Sequence, residues 1–235
     1  RLDLGDLERK LDRPAYRGRR LIGAFSAASN VTGVRTPTHE VAGILHDRGA
    51  LALFDYAASA PYEDIDVDRD ARSRFDAVYF SPHKFVGGPG AAGVLVIHRG
   101  LYRADLPPTV GAGGTVDFVS FDAQEYSPDI ETRETPGTPG ILQTLRAALA
   151  LELKERLDTA RIARRERELI ERVATGLGRH PAVALMGGAD LARGLPIFSL
   201  NVRVGDSWLH PRFVATLLND LFGIQSRAGC SCAAP

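Results

Sequence analysis

The chain has 235 residues, 44% of them hydrophobic, and its 29 basic side chains balance 29 acidic ones, so it has the apolar content for one large domain or two smaller ones. Neutrality without a basic tail argues against a nucleic-acid partner, because the arginines from Arg161 to Arg172 are interleaved with glutamates as on a solvated helix face. No apolar run approaches the roughly 20 residues of a membrane helix, and no secretory leader opens the chain, so a cytoplasmic protein with no membrane partner is expected.

Taken in order, Arg20 to Phe25 reads as a strand, and Thr36-Pro37 as a helix cap followed by proline at the first helical position. That helix is predicted to run to about Arg48-Gly49. Leu51 to Phe54 is the next strand and delivers Asp55 to its carboxyl end. A charged connection, Ala57 to Arg74, leads to the apolar run Ala77-Val78-Tyr79-Phe80, and Gly93 to Ile97 forms the strand after it. Strand, helix, strand, connection, strand is the rhythm of an α/β fold with a mostly parallel sheet. Beyond the loop Gly111 to Thr115 and the polar stretch ending at Gly140, Leu142, Leu145, Leu149 and Leu153 recur at helical spacing, and the pattern continues with a break to about Leu177. A strand from Pro196 to Val202 and a helix marked by Phe213, Val214, Leu217, Leu218 and Leu221, ended by Gly223, follow. Residues 1–140 are therefore expected to be part of a large α/β domain, 141–180 a helical connector, and 181–235 part of a smaller α/β C-terminal domain. With Arg1 first, Met186 the only methionine and Pro235 directly after a cysteine pair, the chain is expected to be a fragment.

The stretch Ser81-Pro82-His83-Lys84-Phe85-Val86-Gly87-Gly88-Pro89-Gly90 carries the most chemical information. Lys84 falls just past a strand end, where open α/β sheets bind ligands, and the glycines let backbone approach a bulky anion. Asp55 ends the neighbouring strand, so a carboxylate and an amine can face one pocket. A pyridoxal 5'-phosphate site needs that pair. The amine forms a Schiff base with the cofactor aldehyde, and the carboxylate keeps the pyridine nitrogen protonated. Ser81 and His83 are candidate donors to the phosphate. The bland alternative is an Asp–Lys ion pair at a sheet edge, contributing roughly 0 to 1 kcal/mol if exposed.

Asp55-Tyr56-Ala57-Ala58, Ser81-Pro82-His83-Lys84, Gly113-Gly114-Thr115, Gly137-Thr138-Pro139 and Gly223-Ile224-Gln225-Ser226-Arg227-Ala228-Gly229-Cys230-Ser231-Cys232-Ala233 together resemble the ordered landmarks of class V aminotransferases. The branch they are most similar to is the cysteine desulfurases. The resemblance implies a partial large domain of the pyridoxal-phosphate-dependent transferase fold, with Lys84 as the Schiff-base lysine, Asp55 as the partner of the pyridinium nitrogen, and Ser81 and His83 on the phosphate. It further implies that Asn30 faces cofactor and substrate, that Arg227 lies at the substrate, and that Thr115 reaches the phosphate of the neighbouring subunit in a homodimer. Asn30 and Thr115 also suit ordinary turns. Cys232, five residues after Arg227, matches the nucleophile that takes sulfur from L-cysteine, leaving L-alanine and a persulfide for a sulfur-acceptor protein; Arg227 supplies nearby positive charge. Cys230 is an equally available thiol. The two are too few for a disulfide scaffold, and Cys-x-Cys is not the usual zinc spacing, so no metal is expected.

One departure from the family pattern stands out: where many members place a glutamine that bonds the ring hydroxyl, this chain has Ala58. The upstream phosphate turn and the arginine that grips the substrate carboxylate would fall outside residues 1–235. Two alternatives therefore stand beside the desulfurase reading: an aminotransferase or lyase of the same class acting on another amino acid, and a non-catalytic remnant of the fold.

Overall fold

The structure of the protein, a computed structural model, describes residues 2–229, with residues 189–191 as backbone only. Helix α1 (Leu4–Leu11) is started by Asp3, whose carboxylate accepts from the Asp6 amide at 3.0 Å. Strands β1 (Ile22–Ser26), β2 (Leu51–Asp55), β3 (Ala77–Phe80) and β4 (Val94–Ile97) form a sheet in that order, joined after β1 by helix α2 (Thr38–His46). The first two pairings are parallel, as the βαβ pattern predicts, while β4 runs antiparallel to β3. Between β3 and β4 lies only a single tight helical turn, with no helix long enough to carry the chain back across the sheet, so β4 returns alongside β3.

The core forms where α2 covers the sheet. Val41, Ala42 and Leu45 lie on one helix face and meet Ala52 and Phe54 of β2 and Val78 of β3, all buried. Asp76, buried at the entry to β3, accepts from the Ala52 amide and bonds His46 Nε2, each at 2.8 Å, which fastens α2 to the sheet. Thr36 does not cap α2 as the sequence suggested. Pro37 occupies that position, and the Thr36 hydroxyl donates back to the Ser26 carbonyl at 2.7 Å.

A hairpin of β5 (Val116–Val119) and β6 (Gln124–Tyr126) and a short helix α3 (Ile130–Arg133) precede the two long helices, α4 (Ile141–Leu157) and α5 (Thr159–Leu177). The expected break between them is Asp158, at φ +65°, whose side chain caps α5 by accepting from the Ala160 amide at 2.9 Å. The leucine pattern of α4 does not mark its covered face: Ala147 and Ala150 are buried, whereas Leu142, Leu145 and Leu149 are exposed.

Strands β7 (Val183–Leu185), β8 (Leu200–Val204) and β9 (Ser207–Trp208) make an antiparallel sheet beside helix α6 (Pro211–Phe222), which ends at Gly223 in the left-handed conformation. The strand expected over Pro196 to Val202 begins later because the residues before it do other work. Leu195 N donates to Gly33 O at 2.8 Å, and the Ser199 hydroxyl donates to Val31 O. Gly33 permits this contact: it has φ +69°, and a Cβ there would lie 2.6 Å from Leu195 O. Residues 195–199 are thereby seated on the turn that carries Asn30.

Candidate functional site

The short apolar strands β2 and β3 end in register, with Asp55 opposite Tyr79, so whatever follows each strand emerges on one edge. Cross-links continue past the strand ends: Tyr56 N donates to Tyr79 O at 2.9 Å, and Ala27 N to Asp55 O at 2.8 Å. The chain then folds into the tight turn Pro82–Lys84, closed by Lys84 N to Ser81 O and Phe85 N to Pro82 O, both 3.0 Å. Pro82 and Phe85 are buried and hold the turn down, which leaves His83 and Lys84 exposed. Gly88 closes the feature with its amide on Phe85 O at 3.0 Å, and a Cβ on it would fall 1.8 Å from Pro82 O.

Lys84 lines a cavity of about 640 Å³. Asn30 enters the same wall from the turn beyond β1. Gln225, Ser226 and Arg227 enter it from the segment after α6, and Phe198 is among its apolar residues. Three of the sequence-predicted residues, Asn30, Lys84 and Arg227, are thus brought to one space. The Lys84 ammonium has no hydrogen-bond or ion-pair partner among the described residues.

The other predicted residues that the structure describes, Asp55, Ser81, His83 and Thr115, are not in its wall. Asp55 is half-buried, and one carboxylate oxygen accepts from the Ala57 amide at 2.7 Å. Burial, and then the Asp55 carboxylate nearby, push the Tyr79 phenol up from its ordinary value. Ser81 and His83 make no side-chain hydrogen bond among the described residues. Thr115 is buried at the mouth of the β5–β6 hairpin, and its hydroxyl donates to Ala112 O at 2.7 Å. Ala58 presents a half-buried methyl group, as its identity requires. Cys230 and Cys232 lie outside the described residues.

Sequence reasoning missed a second, smaller space of about 220 Å³ on the other side of Lys84, bounded also by Tyr62, Phe85, Lys154 and Glu166. Burial pushes the Lys154 ammonium down and the Glu166 carboxyl up from their ordinary values, and Arg35 opposes the shift at Glu166. No signal in the sequence marks this space, since a lysine in a charged helix reads as solvated.

Comparison with known proteins gives a consistent picture. The sequence profile described as Aminotransferase class-V matches residues 3–235. A probable cysteine desulfurase of Pyrococcus abyssi (strain GE5 / Orsay) is 30% identical over 234 residues, covering 100% of this chain and 54% of the relative. Among solved structures, the apo cysteine desulfurase of Thermococcus onnurineus NA1 superposes with a TM-score of 0.82 at 31% identity, over 99% of this chain and 54% of that one. The Escherichia coli cysteine desulfurase CsdA in its S-sulfonic acid form gives 0.80 at 27% identity, over 95% and 51%. The chain therefore spans about half the length of the proteins it matches.

Proposed function

The chain belongs to the class-V aminotransferase family, and we propose that it supplies the lysine side of a pyridoxal 5'-phosphate site of the cysteine desulfurase type. The observation that carries this reading is the Lys84 amine, without a partner among the described residues, in one cavity wall with Asn30 and Arg227. The donor set fits the cofactor. Among the described residues, Lys84 offers a free amine, Asp55 has a second carboxylate oxygen beyond the one taken by Ala57, and Ser81 and His83 hold their side-chain donors uncommitted.

In this reading Lys84 attaches the cofactor, Asp55 keeps a proton on the pyridine nitrogen, and Ser81 and His83 donate to the phosphate. Bound there, the cofactor supplies an electron sink conjugated to the substrate amine. Asn30 and Arg227 orient the amino-acid substrate. With L-cysteine as substrate, the Cys232 thiolate attacks the substrate sulfur; the carbon–sulfur bond breaks, a sulfur–sulfur bond forms, and the carbon skeleton leaves as L-alanine after taking a proton. Positive charge from Arg227 favours that thiolate. The persulfide then passes its sulfur to an acceptor protein. We place the protein in the cytoplasm as a homodimer, with Thr115 released from Ala112 to reach the partner subunit's phosphate. No helix among the described residues is long and apolar enough to cross a membrane.

Adding pyridoxal phosphate to the protein is expected to give a yellow absorbance and, after borohydride, a modified Lys84 peptide. Lys84→Ala should lose both, and turnover should fall by about a thousandfold or more. Cys232→Ala should keep the absorbance and stop sulfide release from L-cysteine. An unchanged absorbance in Lys84→Ala sinks the lysine assignment, whereas cofactor binding without sulfide release by the parent protein points to amino-group transfer or lyase chemistry instead.

A further inference from the structure

Helix α4 passes close over the lysine turn. Its buried residues on that side are alanines, Ala147 and Ala150, whose small side chains let the helix backbone come near Pro82–Lys84. One helical turn beyond Ala150, on the same face, stands Lys154. Its ammonium is half-buried, donates to the Glu63 carbonyl at 2.5 Å, and lies 5.8 Å from the ring centroid of Phe85, the residue directly after Lys84. Placing a lysine there is costly, since burial disfavours the charged form and Asp64 and Glu155 only partly offset it. An aliphatic residue would avoid that cost and still fill the space. What the aliphatic residue could not do is tie three segments together: α4, the connection before β3, and the ring that anchors the lysine turn.

The far end of the same loop is tied to the same helix. Arg146 Nη1 donates to Pro89 O at 2.7 Å, and Ala92 N donates to Gln143 O at 3.1 Å. Helix α4 therefore grips the glycine-rich loop at its exit, and Lys154 is the grip at its entrance.

We propose that Lys154 is a positioning residue for Lys84, holding the Pro82–Lys84 turn against α4 so that the amine is presented to the 640 Å³ cavity. The inference rests on the role given to Lys84 above. An amine that must meet a carbonyl carbon in one orientation loses rate steeply with small displacements, so a fixed turn has a chemical use. The charged and titratable groups around Lys154 are Lys84 on the turn, Tyr62, Glu63 and Asp64 on the connection, Glu155 on α4 and Glu166 on α5.

The test compares Lys154→Met with Lys154→Arg, which keeps both a donor and a cation for the Phe85 ring. In the cofactor-free protein, the Lys84, Phe85 and Gly88 amides, which close the turn, are expected to exchange hydrogen about tenfold faster in Lys154→Met, with β2 amides unchanged and Lys154→Arg matching the parent. At limiting pyridoxal phosphate, borohydride trapping on Lys84 should fall about tenfold in Lys154→Met and recover to within about twofold in Lys154→Arg. Lys154→Leu gives the same readings if the methionine variant does not fold. Parent-like turn exchange in Lys154→Met, or an arginine variant as defective as the methionine one, overturns the proposal. If the parent itself takes no cofactor on Lys84, the functional reading falls, while the exchange measurement still decides whether Lys154 holds the turn.

Discussion

At the scale of single residues, the lysine turn depends on one glycine whose need is steric. Gly88 does not occupy a left-handed conformation; its hydrogen is required because a methyl group would sit 1.8 Å from the Pro82 carbonyl oxygen, inside the turn that presents Lys84. Gly88→Ala must therefore push open the backbone between Pro82 and Gly88 rather than a flexible side chain. The expected outcome is a loss of about 1 to 3 kcal/mol in stability, read from the denaturant midpoint, with a matching loss of cofactor trapped on Lys84. A variant as stable as the parent and as easily trapped would mean that the turn tolerates an open Pro82 carbonyl. The sequence marked this glycine as permissive for anion approach, and the structure gives it the different task of packing backbone on backbone.

Secondary-structure elements were legible to different depths for physical reasons. Strands β1 to β3 stood out because each is a short apolar run, and Asp55 and Lys84 drew attention because one ends such a run and the other lies just past one. The direction of β4 was not legible, since apolar runs look alike in either orientation. Nor was the covered face of α4. Leucine and alanine are both apolar, and only the close approach of the lysine turn decides that alanines face inward while Leu142, at 77% exposure, faces out. Lys154 was invisible for the opposite reason, because a lysine in a charged helix is by default a solvated one. Asn30, Lys84 and Arg227 line one cavity, whereas Asp55, which the sequence set beside Lys84, is not in its wall; the smaller cavity beside Lys84 depends on packing that no motif encodes. The break between α4 and α5 sits between these cases. Asp158 ends one helix at φ +65° and caps the next. Asp158→Val loses the cap and places a β-branched residue where left-handed backbone is disfavoured, so a stability loss of about 2 kcal/mol is expected. Asp158→Asn should cost less than about 0.5 kcal/mol, since asparagine both tolerates the conformation and accepts from the Ala160 amide. Equal losses in urea titrations of the two would assign the break to something other than Asp158.

At the scale of the whole molecule, the charged seam between α5 and the loops of the first sheet sets a pH dependence with a definite sign. Arg35, beyond β1, pairs with Glu63 of the connection, and the Thr159 hydroxyl at the start of α5 donates to Asp64 at 2.9 Å. Glu166 of α5 lies by this seam, where burial raises its carboxyl above the ordinary 4.5 and the Arg35 charge only partly offsets the shift. A raised carboxyl holds its proton more tightly folded than unfolded. Its contribution to stability is therefore complete below pH 4.5 and is lost as pH rises through the folded value. At neutral pH the ionised Glu166 is thus a net burden on the seam, one that glutamine of the same shape would not carry. Glu166→Gln is expected to match the parent near about pH 4 and to exceed it by less than about 1 kcal/mol near about pH 8, the partial exposure of the side chain keeping the gain small. Urea midpoints measured across that range decide the matter. A difference that stays constant with pH would mean that Glu166 acts through packing, and a glutamine variant less stable at high pH would mean that its attraction to Arg35 outweighs the cost of burying the charge.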